Sequence, residues 1–323
     1  MEAVANPVTD RTTKKAQRQE KKRREKMRRK QNKEYYYHLM LLPGVVFLVI
    51  FSVIPMVGIV MAFQNYVPAK GLLGSPWVGL DHFKYMFQLP DSIQIFKNTI
   101  VIAVAKIILG MIVPIVFALI LNEAHNKLFK SAVQTIVYLP NFISWVVLGT
   151  VLTMIFSYDG LMNQVVQALG HDRIMFLASN VWFRPIIVLT DVWKGYGYGT
   201  IIYLAALTGI DPALYESAAM DGANRFKQML HISLPGILPT VILLATLNLG
   251  SVLNAGFDQI FNMYNPIVYQ TGDIIDTFVY RMGLVGMQYS FGTAVGLLKS
   301  VISFGLIALS YKLANKYAGY KII

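Results

Sequence analysis

From residue 36 onward the chain is a series of apolar blocks of about twenty residues, nearly free of charge and separated by short polar stretches. Positions 39–63 hold no charged residue across 25 positions, long enough as a helix to cross about 30 Å of hydrocarbon. The same length test marks 99–121, 133–156, 186–207, 237–257 and 291–309. The prediction is an all-α polytopic membrane protein with six transmembrane helices. Pro43, Pro55, Pro114, Pro140 and Pro239 lie in or near these blocks, where kinks are expected and neighbouring helices can take up the freed carbonyls. Residues 13–33 are the opposite: almost no apolar side chains and many like charges, too little to bury a core. Two regions follow, a basic tail over 1–35 and a transmembrane domain over 36–323. A secretory signal would have a shorter apolar run before a small-residue cleavage site, so the first block is expected to remain as an anchor.

Composition agrees: 55% hydrophobic and 14% charged, against roughly 25% charged for soluble chains. Charge then sets orientation. Of 29 Lys and Arg, 13 lie in the first 33 residues beside four acids, and the formal net charge is +12. Placing the N-terminus inside puts 20 cations on that side and six on the other, with Lys106, Lys194 and Lys299 inside the blocks. The positive-inside bias therefore predicts both termini in the cytoplasm, and the tail gains attraction to anionic lipid headgroups. No aromatic-interleaved platform accompanies the tail, so nucleic acid is not an expected partner. There is no cysteine, which excludes thiolate chemistry. The five histidines are scattered without an i, i+4 pair, and no metal site is expected. Nor does any block hold a Ser, His and Asp set, so no catalytic residues are expected.

The loop between the fourth and fifth blocks is the most informative segment. Asp211-Pro212 reads as an N-cap with Pro at the first helical position. The short helix that follows places Ala218, Ala219 and Gly222 along one face, with Glu216 and Asp221 at its rim, and Pro235 is expected to stop it before the fifth span. Small residues allow another surface to approach closely, so the loop reads as a docking element.

This loop resembles the coupling loop of permease subunits of ATP-binding-cassette importers: Glu-Ala-Ala, three residues, Gly, nine residues, Ile, one residue, Leu-Pro. Glu216, Ala218, Gly222, Ile232, Leu234 and Pro235 fall at that spacing, and Ser217 replaces the first Ala. The resemblance extends from about Tyr36 to the C-terminus. Residues 135–145 and 293–303 look like the complex-carbohydrate branch, which handles aldouronate, alginate and rhamnogalacturonan fragments. The resemblance implies a bacterial cytoplasmic-membrane protein that pairs with a second permease subunit and docks on a cytoplasmic ATPase dimer. It also implies an extracytoplasmic solute-binding protein as the donor, and transport by alternating access. It implies no cofactor in this chain. ATP and Mg would be held by the partner ATPase, and the chain has no Gly-x-x-x-x-Gly-Lys-Ser/Thr loop of its own.

Polar residues are costly in hydrocarbon and point to a path. The fourth block offers Asp191, Trp193, Lys194, Gly195 and Tyr198, with Asp191, Lys194 and Tyr198 on one helical face. The resemblance to maltose-transporting permeases places Asp191, Lys194, Gly195 and Tyr198 on sugar-lining positions and adds Ser251 and Asn254 in the fifth block. An alternative reading makes Asp191 and Lys194 a mutually neutralising pair, and Lys106 and Lys299 have no partner legible in the sequence. Two other function classes remain open on these residues. One is a stand-alone secondary transporter or channel, which would more naturally show two related halves with broken helices; the other is an intramembrane hydrolase.

Overall fold

The computed structural model describes residues 35–318; the basic tail predicted over 1–35 lies almost wholly outside them. The described residues are helical, with no named strand and one isolated bridge, Gln64 to Trp77. The chain divides into two compact units, 1–60 and 61–323. The described part of the first is helix α1 (Tyr35–Phe63) up to residue 60. It changes pitch midway, with a π segment at Val49–Val53 and 3-10 turns from Ile54. Pro55 sits at that change, where its missing N–H breaks the regular ladder.

The second unit contains α2 (Asp81–Gln88), α3 (Pro90–Asn122), α4 (Lys127–Tyr138), α5 (Trp145–Ile155), α6 (Leu161–Ala168), α7 (Phe183–Thr208) and α8 (Pro212–Met220). After these come α9 (Arg225–Leu249), α10 (Phe257–Met263), α11 (Ile275–Val279) and α12 (Tyr289–Ala318). Among the described residues four helices are long and apolar enough to cross a membrane: α1, α3, α9 and α12 over Tyr289–Leu313. Lys127–Phe142 and Trp145–Ile155 make a fifth only as a bent pair at 99°. The predicted span over 133–156 is thus broken near Pro140, where a kink is expected. Pro140 removes a donor, and the Ser144 hydroxyl caps a new helix by accepting from the Val147 N–H at 3.4 Å. Helix α7 has the length, at 26 residues, but Arg184, Asp191, Lys194 and its glycines and aromatics lower its apolarity.

Helix α3 shows why the apolar pattern alone was featureless. Ile100, Val101, Ile108, Ile112, Val116 and Ile120 are exposed, while Asn98, Thr99, Ile102, Ala103 and Lys106 are buried. The outward stripe is at least as apolar as the inward one, which is the expected arrangement when the solvent is lipid. The most extensive packing sets α3 against α7. Small residues on α7 permit close approach: a Cβ on Gly197 would overlap the Val137 carbonyl of α4, and one on Gly199 would lie 3.3 Å from Pro114 of α3. Ile102, Ala103, Phe183, Ile186 and Ile187 join Ala255 and Ile260 in one core cluster, and Ala118, Leu121, Tyr203, Leu207 and Ile237 form another toward the 209–224 loop.

Candidate functional site

The loop between α7 and α9 is built by local capping. The Asp211 carboxylate accepts from the Ala213 N–H at 2.9 Å, and Pro212 begins α8 where no N–H is needed. The helix ends in a Schellman turn: the Gly222 N–H reaches the Ala219 carbonyl at 3.1 Å and the Ala223 N–H the Ala218 carbonyl at 2.9 Å. Gly222 has φ +78°, a left-handed conformation that costs a side-chain-bearing residue but not glycine. Asn224 then caps α9, accepting from the Lys227 N–H at 2.9 Å.

Two expectations are corrected here. Gly222 is the turn after α8 and not part of a small-residue face with Ala218 and Ala219. Pro235 does not stop a helix, because α9 runs continuously from Arg225 to Leu249. A π segment at Met229–Ser233 immediately before Pro235 absorbs the missing donor. Ile232, Leu234 and Pro235 accordingly belong to the root of α9, where Leu234 packs on the Leu207 and Ile237 cluster.

The loop is braced to the rest of the fold. The Tyr215 hydroxyl lies 2.9 Å from that of Ser233, and Gln228 donates to the Ala223 carbonyl at 3.3 Å. Arg225 reaches Glu123 at 3.2 Å and His125 at 2.9 Å, tying α9 to the end of α3. Glu216, Ala219 and Arg225 line a cleft of about 700 Å³ there. Glu216, Ser217, Ala219 and Asp221 are exposed and Ala218 is half-buried. The Ser217 hydroxyl turns back to the Ala213 carbonyl at 2.8 Å, so its outward surface is close to that of the alanine it replaces. Met220 and Phe226 stand out from the loop, 88% and 65% exposed.

A second site lies within the bundle. The predicted fifth block extends to 257, but α9 ends at Leu249, followed by irregular turns through Gly256 at φ +91°. Ser251 and Asn254 sit in this break, their N–H groups bonded to the Asn248 and Ser251 carbonyls at 2.9 and 2.8 Å. The break opens a cavity of about 300 Å³ lined by Asp191, Asn248, Ser251 and Asn254, with Lys106 and Gly110 of α3 opposite. Pro114, four residues after Gly110, has no N–H for the Gly110 carbonyl, which leaves another acceptor beside the cavity.

Of the predicted path residues, the structure brings Asp191, Ser251 and Asn254 together. It does not bring Trp193, Lys194, Gly195 or Tyr198 to that cavity. Asp191 and Lys194 are not partners: Asp191 pairs with Lys106 at 3.2 Å, while Lys194 donates to the Asn141 carbonyl at 2.8 Å and lies 5.4 Å over the Trp145 ring. The break between α4 and α5 supplies the Asn141 carbonyl and the first turn of α5 the indole, and no periodicity in α7 announces either. Trp193 and Tyr198 are 47% and 52% exposed on α7. Lys106 and Asn248 are cavity residues not legible in the sequence, as is the buried Gln259 behind Lys106; an uncompensated lysine on the inward face of α3 was the one available signal.

Farther along, away from the loop end, Asp273 accepts from Arg281 at 3.1 and 2.6 Å and from Thr277 at 2.7 Å. The buried Asn98 joins α3 to the Asp273 carbonyl at 3.0 Å and receives Arg184. Lys299 pairs with Asp276, the partner that the sequence left unnamed. Nearby, burial pushes the Tyr264 hydroxyl up to about 12, so it stays neutral in ordinary conditions.

With this geometry in hand, the comparisons converge. Residues 114–318 match the family described as binding-protein-dependent transport system inner membrane component. The polygalacturonan/rhamnogalacturonan transport system permease protein YteP of Bacillus subtilis (strain 168) is 42% identical over 279 residues, covering 86% of this chain and 87% of that one. Protein LplB of the same organism is 41% identical over 279 residues, with 86% and 88% covered. A chain in the crystal structure of a bacterial alginate ABC transporter, in complex with an alginate pentasaccharide-bound periplasmic protein, superposes with a TM-score of 0.82 at 37% identity, covering 90% of this chain and 98% of that one. The chain therefore belongs to the family of binding-protein-dependent transport system inner membrane components.

Proposed function

We propose that this chain is a sugar-importing permease subunit whose path for an oligosaccharide passes the cavity at the break after Leu249. The observation that carries this reading is convergence. Two segments distant in sequence, α7 and the end of α9 with the break after it, bring a carboxylate, two amides and a hydroxyl to one cavity facing α3 inside an otherwise apolar bundle, a donor and acceptor set suited to sugar hydroxyls. Six spans are read, namely α1, α3, the bent α4–α5 pair, α7, α9 and α12, with both termini in the cytoplasm. The exposed Trp193 and Tyr198, together with the half-buried Lys194 and Gly195, form the part of the path completed by a second permease subunit. The loop residues Glu216, Ser217, Ala218, Ala219 and Asp221 dock on a cytoplasmic ATPase, with Gly222 setting the turn behind them and Ile232, Leu234 and Pro235 transmitting its movement into α9. The ATPase partner binds ATP and Mg, and an extracytoplasmic binding protein delivers the glycan. Relatives named for polygalacturonan, rhamnogalacturonan and alginate favour uronate-bearing oligosaccharides.

The test is reconstitution of the complete transporter in liposomes with its binding protein, challenged with oligogalacturonides, alginate oligosaccharides and neutral maltooligosaccharides. Uptake and ATP hydrolysis should rise with the acidic glycans, and Asn254→Leu, which fills the cavity, should cut uptake at least tenfold in an assembled complex. Full uptake by Asn254→Leu would remove this cavity from the path.

A further inference from the structure

The Lys106 ammonium has three N–H donors, and each has an acceptor on a different element. It donates to the Ala255 carbonyl in the break at 2.8 Å, to Gln259 of α10, and to Asp191 Oδ1 of α7 at 3.2 Å. Gln259, fully buried, in turn donates to the Ile187 carbonyl and the Thr190 hydroxyl of α7, each at 2.8 Å. A side chain on Gly256 would put its Cβ 2.9 Å from Nζ, so glycine there is also what lets the ammonium in. The exposures are unequal: the Lys106 side chain is 8% exposed and that of Asp191 34%. Among the described residues no donor reaches Asp191 Oδ2, on a carboxylate that lines the cavity.

We propose that Lys106 is a positioning residue for transport: it holds the Asp191 carboxylate aimed into the cavity as an acceptor for sugar hydroxyls, and it pins the break after α9 as the cavity wall. The inference rests on the reading of the cavity as the glycan path. Its consequence for selectivity is specific. The lysine is spent on the protein, so the wall contributed by this chain reads hydroxyls through an anion and offers no cation to a glycan carboxylate at Asp191. An isolated charge at this depth is expensive, so removing either partner alone strands the other.

The experiment compares Lys106→Met, Lys106→Arg, Asp191→Asn, the double variant Lys106→Met/Asp191→Asn and Gly256→Ala in the assembled transporter. The readout is uptake per ATP hydrolysed, using the panel oligosaccharide that the parent complex takes up fastest. Lys106→Met and Gly256→Ala should each lower that ratio at least tenfold, with Lys106→Arg retaining more than Lys106→Met. The double variant should recover the amount of assembled complex without recovering uptake. If Lys106→Met assembles and keeps the ratio within twofold of the parent, or if the double variant regains full uptake, the positioning role is overturned. Should Lys106→Met fail to assemble, the double variant decides alone. Loss in Lys106→Met alongside full uptake in Asp191→Asn would reject the cavity as path, whereas loss in Asp191→Asn with none in Lys106→Met would reject only the positioning role.

Discussion

Partner choice inside the bundle decides what each ionisable residue does. Asp273, with a side chain only 3% exposed, accepts two bonds from Arg281, whose guanidinium also lies 4.2 Å over the Tyr269 ring. Truncation leaves the guanidinium without its counter-charge, and Asp273→Ala is expected to cost about 3–5 kcal/mol. The thermal midpoint of the detergent-purified complex should drop clearly for Asp273→Ala, and much of the loss should return in Asp273→Ala/Arg281→Met. An unchanged midpoint in the single variant would show that the pair contributes nothing. Lys106 and Lys194 illustrate how far one-dimensional spacing reaches. The i, i+3 relation of Asp191 and Lys194 made them neighbours on one face, yet each took a partner from another element, because α3 presents an ammonium and the bent α4–α5 pair presents a carbonyl and an indole.

Among the elements, the loop helix α8 was the most legible, since its signals are local. The cap at Asp211, the glycine after the last turn and the cap at Asn224 each act within four residues. The role of Gly222 was not legible from spacing, which cannot distinguish a small residue for close approach from a glycine for positive φ. The structure favours the second, because Gly222 adopts φ +78° in the turn that closes α8. Gly222→Ala should therefore strain the turn by about 1–2 kcal/mol and shift α8 relative to α9, lowering glycan-stimulated ATP hydrolysis several-fold. Gly222→Asn should do less harm despite its larger side chain, because Asn tolerates the left-handed region. The opposite ranking of the two variants would return Gly222 to a packing surface. Pro235 was misjudged for a related reason: a proline stops an ideal helix, but the preceding π segment accommodates it.

At the scale of the whole molecule the proposed topology rests on the apolar blocks and the Lys and Arg bias. The chain contains no cysteine, so single substitutions at exposed positions are a direct test. Lys127→Cys and Lys227→Cys should react with a membrane-impermeant maleimide only when the cytoplasmic face is open, and Leu73→Cys and Lys84→Cys only from outside; reversed labelling in either pair would invert the arrangement. Block length, charge bias and the capped loop were readable from the amino-acid order because hydrocarbon thickness and helix capping are set by residues close together in the chain. Two things were decided by tertiary structure. One is that the fifth block breaks after Leu249, placing Ser251 and Asn254 at a cavity and not on a helix face. The other is that Lys106 of α3, and not Lys194 of α7, neutralises Asp191. Both depend on which inward faces meet, and in a chain whose lipid-facing stripes are as apolar as its buried ones, hydropathy carries no record of that choice.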